Sequence, residues 1–403
     1  MARVYRDNLL LLLVAFVALA PTCHCGTDPA TGRIRVLFLG ELAAGNRIML
    51  DWIVAEPRFV LTVVPCSLQN VPMSEAKRMT RLYIPRTYDL LTGGYDTLVF
   101  EDFGPMSLLA SAIENFRRGV EEGLGLALIE FANWQGASGS SHIDAWLNTA
   151  MADTFPAVVD PDTDVDASEG RTFYRVLRRD PIFDLPGLES VPINGGHHGD
   201  IFPKLGSVVH AEWKGRGTPV LISGGYGEGN TLQLDHGWDN IRKEAREWDY
   251  CPDLIYNQVL FVANEPVPPD LEVAHQARKL FIEVQIRRVI TVSTLDFIEK
   301  NGGRVMKAER KFQELEEMIE EAQSIYIAEM DALKAVDLLD RVIDRYPELE
   351  VEMVELKQRS LLWIYVIEWC VVSATATVTA GLVWTLMVKR SRFRAVETTR
   401  LQR

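Results

Sequence analysis

Imidazoles and carboxylates fall together at two places in this chain: Gly195-Gly196-His197-His198-Gly199-Asp200 and, downstream, Asp235-His236. Imidazole nitrogens and carboxylate oxygens suit a divalent cation, so His197, His198 and Asp200 are the candidate metal ligands. Adjacent side chains diverge in an extended chain, and no spacing here is diagnostic of metal. A polar loop near a sheet edge is the reading set against it. A second group of carboxylates, Glu41, Glu101-Asp102 and Glu130, follows apolar runs with the character of strands. Ligands of open parallel sheets bind beyond the carboxyl ends of the strands. Together with Asn133, Glu41, Glu101 and Asp102 are therefore candidate ligand-binding residues for a cation or a sugar hydroxyl. Singly, each carboxylate suits the cap of a following helix. The acidic insertion at 156–169 carries Asp160, Asp162, Asp164 and Asp166 but lacks the glycine and terminal glutamate of a calcium loop. It reads as a solvated surface loop, with weak calcium binding as the sharper alternative.

The elements that would position these groups alternate in kind. Residues 33–39, 59–64, 97–100 and 125–129 are short apolar runs, and residues 46–55 and 108–122 have helical character. Such βαβα order implies a mostly parallel sheet with helices on both faces. Later, residues 219–222 and 231–234 flank a Gly-rich stretch and predict a β-hairpin. The net charge of −14 argues against general nucleic-acid binding, which needs a basic footprint. Of five cysteines, Cys23 and Cys25 sit beside the N-terminal apolar run and Cys370 lies in the C-terminal one. Cys66 and Cys251 remain, either as a pair in an oxidising compartment or as two independent thiols.

The order of these segments carries a resemblance. Tyr95-Asp96-Thr97-Leu98-Val99-Phe100-Glu101-Asp102, a helix, then Gly123-Leu124-Gly125-Leu126-Ala127-Leu128-Ile129 resembles the class I glutamine amidotransferase-like superfamily. Asp180-Pro181-Ile182, Pro219-Val220-Leu221-Ile222 and Tyr226-Gly227-Glu228-Gly229-Asn230 are similar to its non-catalytic, membrane-associated members and to trehalose-utilisation-like proteins. Glu228 and Asn230 stand where that pattern has basic residues. The resemblance implies an α/β fold with a mostly parallel sheet of the flavodoxin-like amidotransferase type. It also implies a nucleophile elbow just after Ile129, where Glu130 occupies the cysteine position, and a base at His236. The acidic partner expected two residues on is Trp238. Glu130 and His236 are thus the catalytic candidates, but a carboxylate is a poor substitute for a thiolate, and triad members work as a unit. Glutamine hydrolysis by the family mechanism is not expected, and no cofactor is expected.

The two ends suggest a topology. Arg3 and Arg6 precede an apolar run at 9–20, too short to span about 30 Å of hydrocarbon, so residues 1–25 read as a signal peptide, with an uncleaved anchor as the alternative. Residues 370–388 form an uncharged apolar run that 361–369 can extend, with Trp363, Tyr365, Trp369 and Trp384 near its ends. Glu368, near one end among aromatics, is read as interfacial. Lys389, Arg390, Arg392 and Arg394 follow and mark the cytoplasmic side. The expected order is a signal peptide (1–25), the amidotransferase-like domain (26–270), a helical stalk (271–360), a transmembrane helix (361–388) and a basic cytoplasmic tail (389–403). In the stalk, Val305, Ala308, Phe312, Leu315, Ile319, Ala322 and Tyr326 form a heptad seam, and Val336, Leu339, Ile343 and Tyr346 a second helix closed by Pro347. An intramolecular hairpin and a self-associating coiled coil both satisfy that seam.

These readings describe a single-pass plasma-membrane protein with an extracytoplasmic body. Its expected partners are the bilayer and an envelope protein or a second copy through the stalk, with no nucleic acid. The expected role is binding of a ligand or envelope partner. The alternatives are a hydrolase acting on a small polar or sugar-derived substrate, and a structural envelope subunit.

Overall fold

The structure is a computed structural model that describes residues 27–28, 31–40, 48–66, 71–101, 103–129, 142–160, 165–166, 172–180, 182–194, 197–238 and 241–400. The signal-peptide reading therefore lies outside the described residues. The chain divides into two compact units, Met1–Phe281 with Gln323–Leu333 and Ile282–Ala322 with Lys334–Arg403.

In the first unit, β1 (Ile34–Gly40), α1 (Ile48–Ala55), β2 (Phe59–Pro65), α2 (Met73–Tyr83), α3 (Tyr88–Gly94), β3 (Thr97–Glu101), α4 (Ala110–Glu121), β4 (Gly125–Ile129) and α5 (His142–Leu147) follow in turn. The strands β5 (Ala157–Val159), β6 (Val165–Asp166), β7 (Tyr174–Val176), β8 (His197–His198) and β9 (Ile201–Pro203) are short. Longer strands β10 (Val208–Trp213), β11 (Pro219–Tyr226) and β12 (Gly229–Leu234) precede α6 (Lys243–Arg246) and α7 (Cys251–Val262). Eight strands make one sheet in the order β2-β1-β3-β4-β12-β11-β10-β7.

The sheet is mixed. Pairings are parallel from β2 through β12 and antiparallel from β12 outward. Sequence explains both halves. β3 and β4 are buried at every position and are almost wholly apolar, as strands covered on both faces must be. On one face, Met49 and Ile53 of α1 and Leu254, Val259 and Leu260 of α7 pack on Val36, Phe38, Val99 and Ala127. On the other, Ala76, Leu91, Phe116, Val120 and Trp146 pack on Leu37, Leu98, Phe100 and Leu128. The antiparallel half begins at the predicted hairpin, whose turn holds Gly227 at φ +61°. A Cβ there would lie 2.1 Å from the Glu121 carbonyl oxygen, so no larger residue fits. Cys66 and Cys251 belong to opposite faces of the sheet and are free thiols.

The first unit also takes in the opening turns of α8 (Leu271–Lys300), beyond the expected boundary at 270. Arg278, buried, donates from Nε to Glu56 (2.9 Å) and from Nη1 to Asp253 (2.5 Å). His275 Nδ1 lies 2.6 Å from the second Asp253 oxygen. Removing one partner of such a buried set is strongly destabilising, because it strands the others without water. This network, together with buried Ala274, Ala277 and Phe281, fastens the opening turns of that helix.

The second unit contains the rest of α8, α9 (Met306–Ser324) and most of α10 (Ala332–Arg400). Ala308, Leu315, Ile319 and Ala322 of the heptad seam are buried with Val336, Leu339, Tyr346, Leu349 and Met353. Arg288 pairs with Glu316 (2.6 Å), Arg287 with Glu350 (2.8 Å) and Lys311 with Glu352 (2.9 Å), so the seam is met within the chain. Pro347 does not close a helix: α10 runs through it without a break. Proline removes a helical hydrogen bond and ordinarily kinks or breaks a helix. Here Tyr346 and Leu349 are buried on either side of it, and Glu350 and Glu352 are tied to neighbouring helices, which holds the helical path.

One helix among the described residues, α10, is long and apolar enough to cross a membrane. Trp363, Trp369, Val371, Val378, Leu382 and Trp384 are all exposed, an apolar surface of the kind that marks contact with a membrane or another protein. The hydroxyls of Thr375, Thr377, Thr379 and Thr385 each donate, at 2.8 Å, to the carbonyl four residues earlier. Every one of these hydroxyls is thereby satisfied inside the helix, an arrangement compatible with hydrocarbon surroundings.

Candidate functional site

His236 follows β12 at the carboxyl end of the parallel half, where ligands of such sheets are bound. It is 1% exposed. Its Nδ1 donates to the Gly237 carbonyl at 2.7 Å, and Nε2 accepts from the Tyr174 hydroxyl. Both ring nitrogens are thus engaged, and the tautomer is fixed with its proton on Nδ1. The rings of Trp213, Trp238 and Tyr174 lie 5.6, 5.5 and 5.9 Å from the imidazole, closing an aromatic box. Burial pushes the His236 pKa down to about 4, against a smaller opposing effect of the Gly237 hydrogen bond. Burial also pushes the Tyr174 phenol up, with Cys251 and Asp235 adding to it, so the phenol stays a donor. Trp238, in the position expected for an acidic partner, is a wall of the box. Asp235 accepts from Trp213 Nε1 at 2.8 Å.

Glu101 ends β3, buried, level with Ile129 of β4, which in turn is level with Leu234 of β12. Two strand spacings, about 10 Å, separate those levels. Tyr174 and Trp213, which hold His236, belong to β7 and β10, on the far side of β12 from β3. The side chains that hold His236 thus come from the side of β12 away from Glu101. Glu41, Asp102, Glu130 and Asn133 lie outside the described residues. His197 and His198 form β8, which pairs with Val165 and Asp166 of β6; their side chains too lie outside the description. Asp200 is half-buried, and its backbone carbonyl accepts from the Asp160 N–H at 2.9 Å. Among the described residues no group of three or more His, Cys, Asp or Glu side chains is placed to hold a metal ion. Neither Cys66 nor Cys251 offers a thiolate: burial pushes both thiols up.

A constellation that the sequence did not reveal lies on the same face, farther out across the sheet on β10 and β11. His210 of β10 has Nδ1 2.6 Å from Asp180 Oδ2 and Nε2 2.7 Å from Ser223 Oγ of β11. Its components are 43 residues apart at the extremes, and nothing in their local sequence marks them. The β10–β11 register brings His210 to Ser223, and the segment after β7 brings Asp180 to His210.

No protein-family model matches the chain, and no curated protein does. Among solved structures it is similar to cytoplasmic protein STM3548 from Salmonella typhimurium, at 18% identity and TM-score 0.45 over 57% of this chain and 99% of that one. Cytoplasmic protein STM1381 from Salmonella typhimurium LT2 is similar at 17% identity and TM-score 0.44, over 57% and 99% of the two chains. The β-galactosidase from Rahnella sp. R3 is similar at 10% identity and TM-score 0.36, over 58% of this chain and 32% of that one.

Proposed function

We propose that this chain is a membrane-anchored, amidotransferase-like module without glutaminase chemistry, which binds a ligand or an envelope protein partner on the extracytoplasmic side. The carrying observation is the state of His236. A general base must reach the proton it removes and must have a pKa near working pH. His236 has both nitrogens occupied, is enclosed by aromatic rings and is held neutral far below its ordinary pKa. The sequence 130–136, where the elbow is expected, contains no cysteine. The flavodoxin-like amidotransferase type is supported by the order β2-β1-β3-β4-β12, which runs 2-1-3-4-5 when these parallel strands are numbered along the chain. The apolar run of α10 and the basic residues after it support an anchor with its tail in the cytoplasm.

The purified full chain in detergent should release no ammonia from glutamine. Glutamine-dependent release that is abolished by His236→Asn would sink this reading. Protease added to intact cells or spheroplasts should remove the body and leave a short protected C-terminal fragment; a fully protected body would reverse the topology.

A further inference from the structure

We propose that Ser223, His210 and Asp180 form a nucleophile–base–orienter relay that hydrolyses small carboxylic esters, at a site separate from the amidotransferase-like position. The proposal does not depend on the reading of His236.

The geometry begins with a β-bulge. Val209 pairs with Ile222 and Ala211 with Leu221, so His210 is the extra residue on β10. Bulges re-aim side chains, and they recur beside active sites. The carbonyl of His210 accepts from the N–H groups of Leu177 (2.8 Å) and Arg178 (3.3 Å). Those contacts draw in the segment after β7 that delivers Asp180. Asp180 Oδ1 is in turn fixed by the Ile182 N–H at 3.1 Å, leaving Oδ2 for the imidazole. With a carboxylate at Nδ1, the ring carries its proton there and presents Nε2 as the acceptor for the Ser223 hydroxyl. These are the roles an activated serine needs: a base within hydrogen-bond reach and a third group orienting that base.

Ser223 and His210 are themselves 4% and 5% exposed, so an acyl group must reach them past Gly225. Side chains at positions i and i+2 of a strand share a face, so Gly225 stands beside Ser223. A Cβ at Gly225 would meet only the Gly229 carbonyl oxygen, at 3.8 Å, and Gly225 is exposed. Phe183 and Phe261 flank the imidazole at 5.4 and 6.1 Å and make its surroundings apolar. A short, uncharged acyl group fits that chemistry.

In the step, Ser223 Oγ attacks the ester carbonyl carbon while its proton passes to His210 Nε2. The tetrahedral intermediate collapses, the carbon–alkoxy bond breaks, and the leaving alkoxide takes that proton. Water then attacks the acyl-serine, again losing its proton to Nε2. Collapse releases the carboxylic acid and restores Ser223, so one ester and one water give one acid and one alcohol.

The test is labelling of the full chain in detergent with a fluorophosphonate probe, with the modified peptide mapped by mass spectrometry. Native protein should be labelled at Ser223, and heat-denatured protein should not. Asp180→Asn should label at least about 100-fold more slowly, as expected for loss of the orienting carboxylate. Native protein should also hydrolyse p-nitrophenyl acetate, with the turnover lost in Ser223→Ala of unchanged near-UV circular dichroism. Absence of label at Ser223 in native protein overturns the proposal, as does labelling that survives denaturation. Both outcomes are read on the unsubstituted chain and do not depend on any variant folding.

Discussion

His236 and His210 are both buried, both on the sheet's α7 face, and chemically opposite. His236 accepts from a phenol, donates to its neighbour's carbonyl and is boxed by indoles. His210 is held between a carboxylate and a serine hydroxyl. Burial alone therefore says little about a histidine. What bonds to each nitrogen decides whether the ring is a core group or a base. The resemblance in the sequence directs attention to His236; the partners of the ring direct it to His210.

The contrast can be broken most forcefully by deleting each ring. His236→Ala leaves a cavity among three aromatic side chains and strands the buried Tyr174 hydroxyl, at a cost of about 4 kcal/mol. His210→Ala should cost less, about 2 kcal/mol, since Asp180 is partly exposed and can regain water. Urea unfolding followed by the fluorescence of the buried tryptophans measures both. Equal costs would erase the distinction between the two sites.

Acid gives the next largest effect. The folded His236 pKa of about 4 lies below the ordinary value, so the unfolded chain takes up a proton first. Stability that depends on the neutral ring is complete above about pH 6.5 and falls as pH drops toward 4, by roughly 3 kcal/mol. His236→Asn should flatten that part of the stability–pH curve. An unchanged slope in the variant would mean that other groups carry it. Smaller still is Tyr174→Phe, which removes one buried hydrogen bond and should cost about 1–2 kcal/mol. Its effect should vanish in a His236→Asn background if the two act as a pair.

Much of the parallel half was legible because its strands are buried on both faces. Val36, Phe38, Val99 and Ala127 face one layer of helices and Leu37, Leu98, Phe100 and Leu128 the other, leaving near-continuous apolar runs in the sequence. The long apolar helix near the C-terminus was legible for a related reason, since length and apolarity together are visible in the sequence. In the antiparallel part the β11–β12 hairpin was legible from its Gly-rich turn, but β7 and β10 were not. β7 has three residues, and β10 contains a bulge that breaks the simple alternation of side chains. The candidate sites were still harder to read. Arg278 reaches Glu56 across 222 positions and His210 finds Ser223 only through strand register, while their local sequences resemble ordinary helix and strand. Pro347 misled for the opposite reason: its local rule is strong, but packing on both sides overrides it.

The central claim is that His236 is a sealed, neutral core residue and not a base. Hydrogen exchange at the imidazole C2 position, read residue by residue by mass spectrometry across a pH series, tests it on the full chain in detergent. The account predicts slow exchange at His236 and a titration near pH 4. A His236 titration near 6.5 with rapid exchange would place the ring in contact with solvent and contradict it.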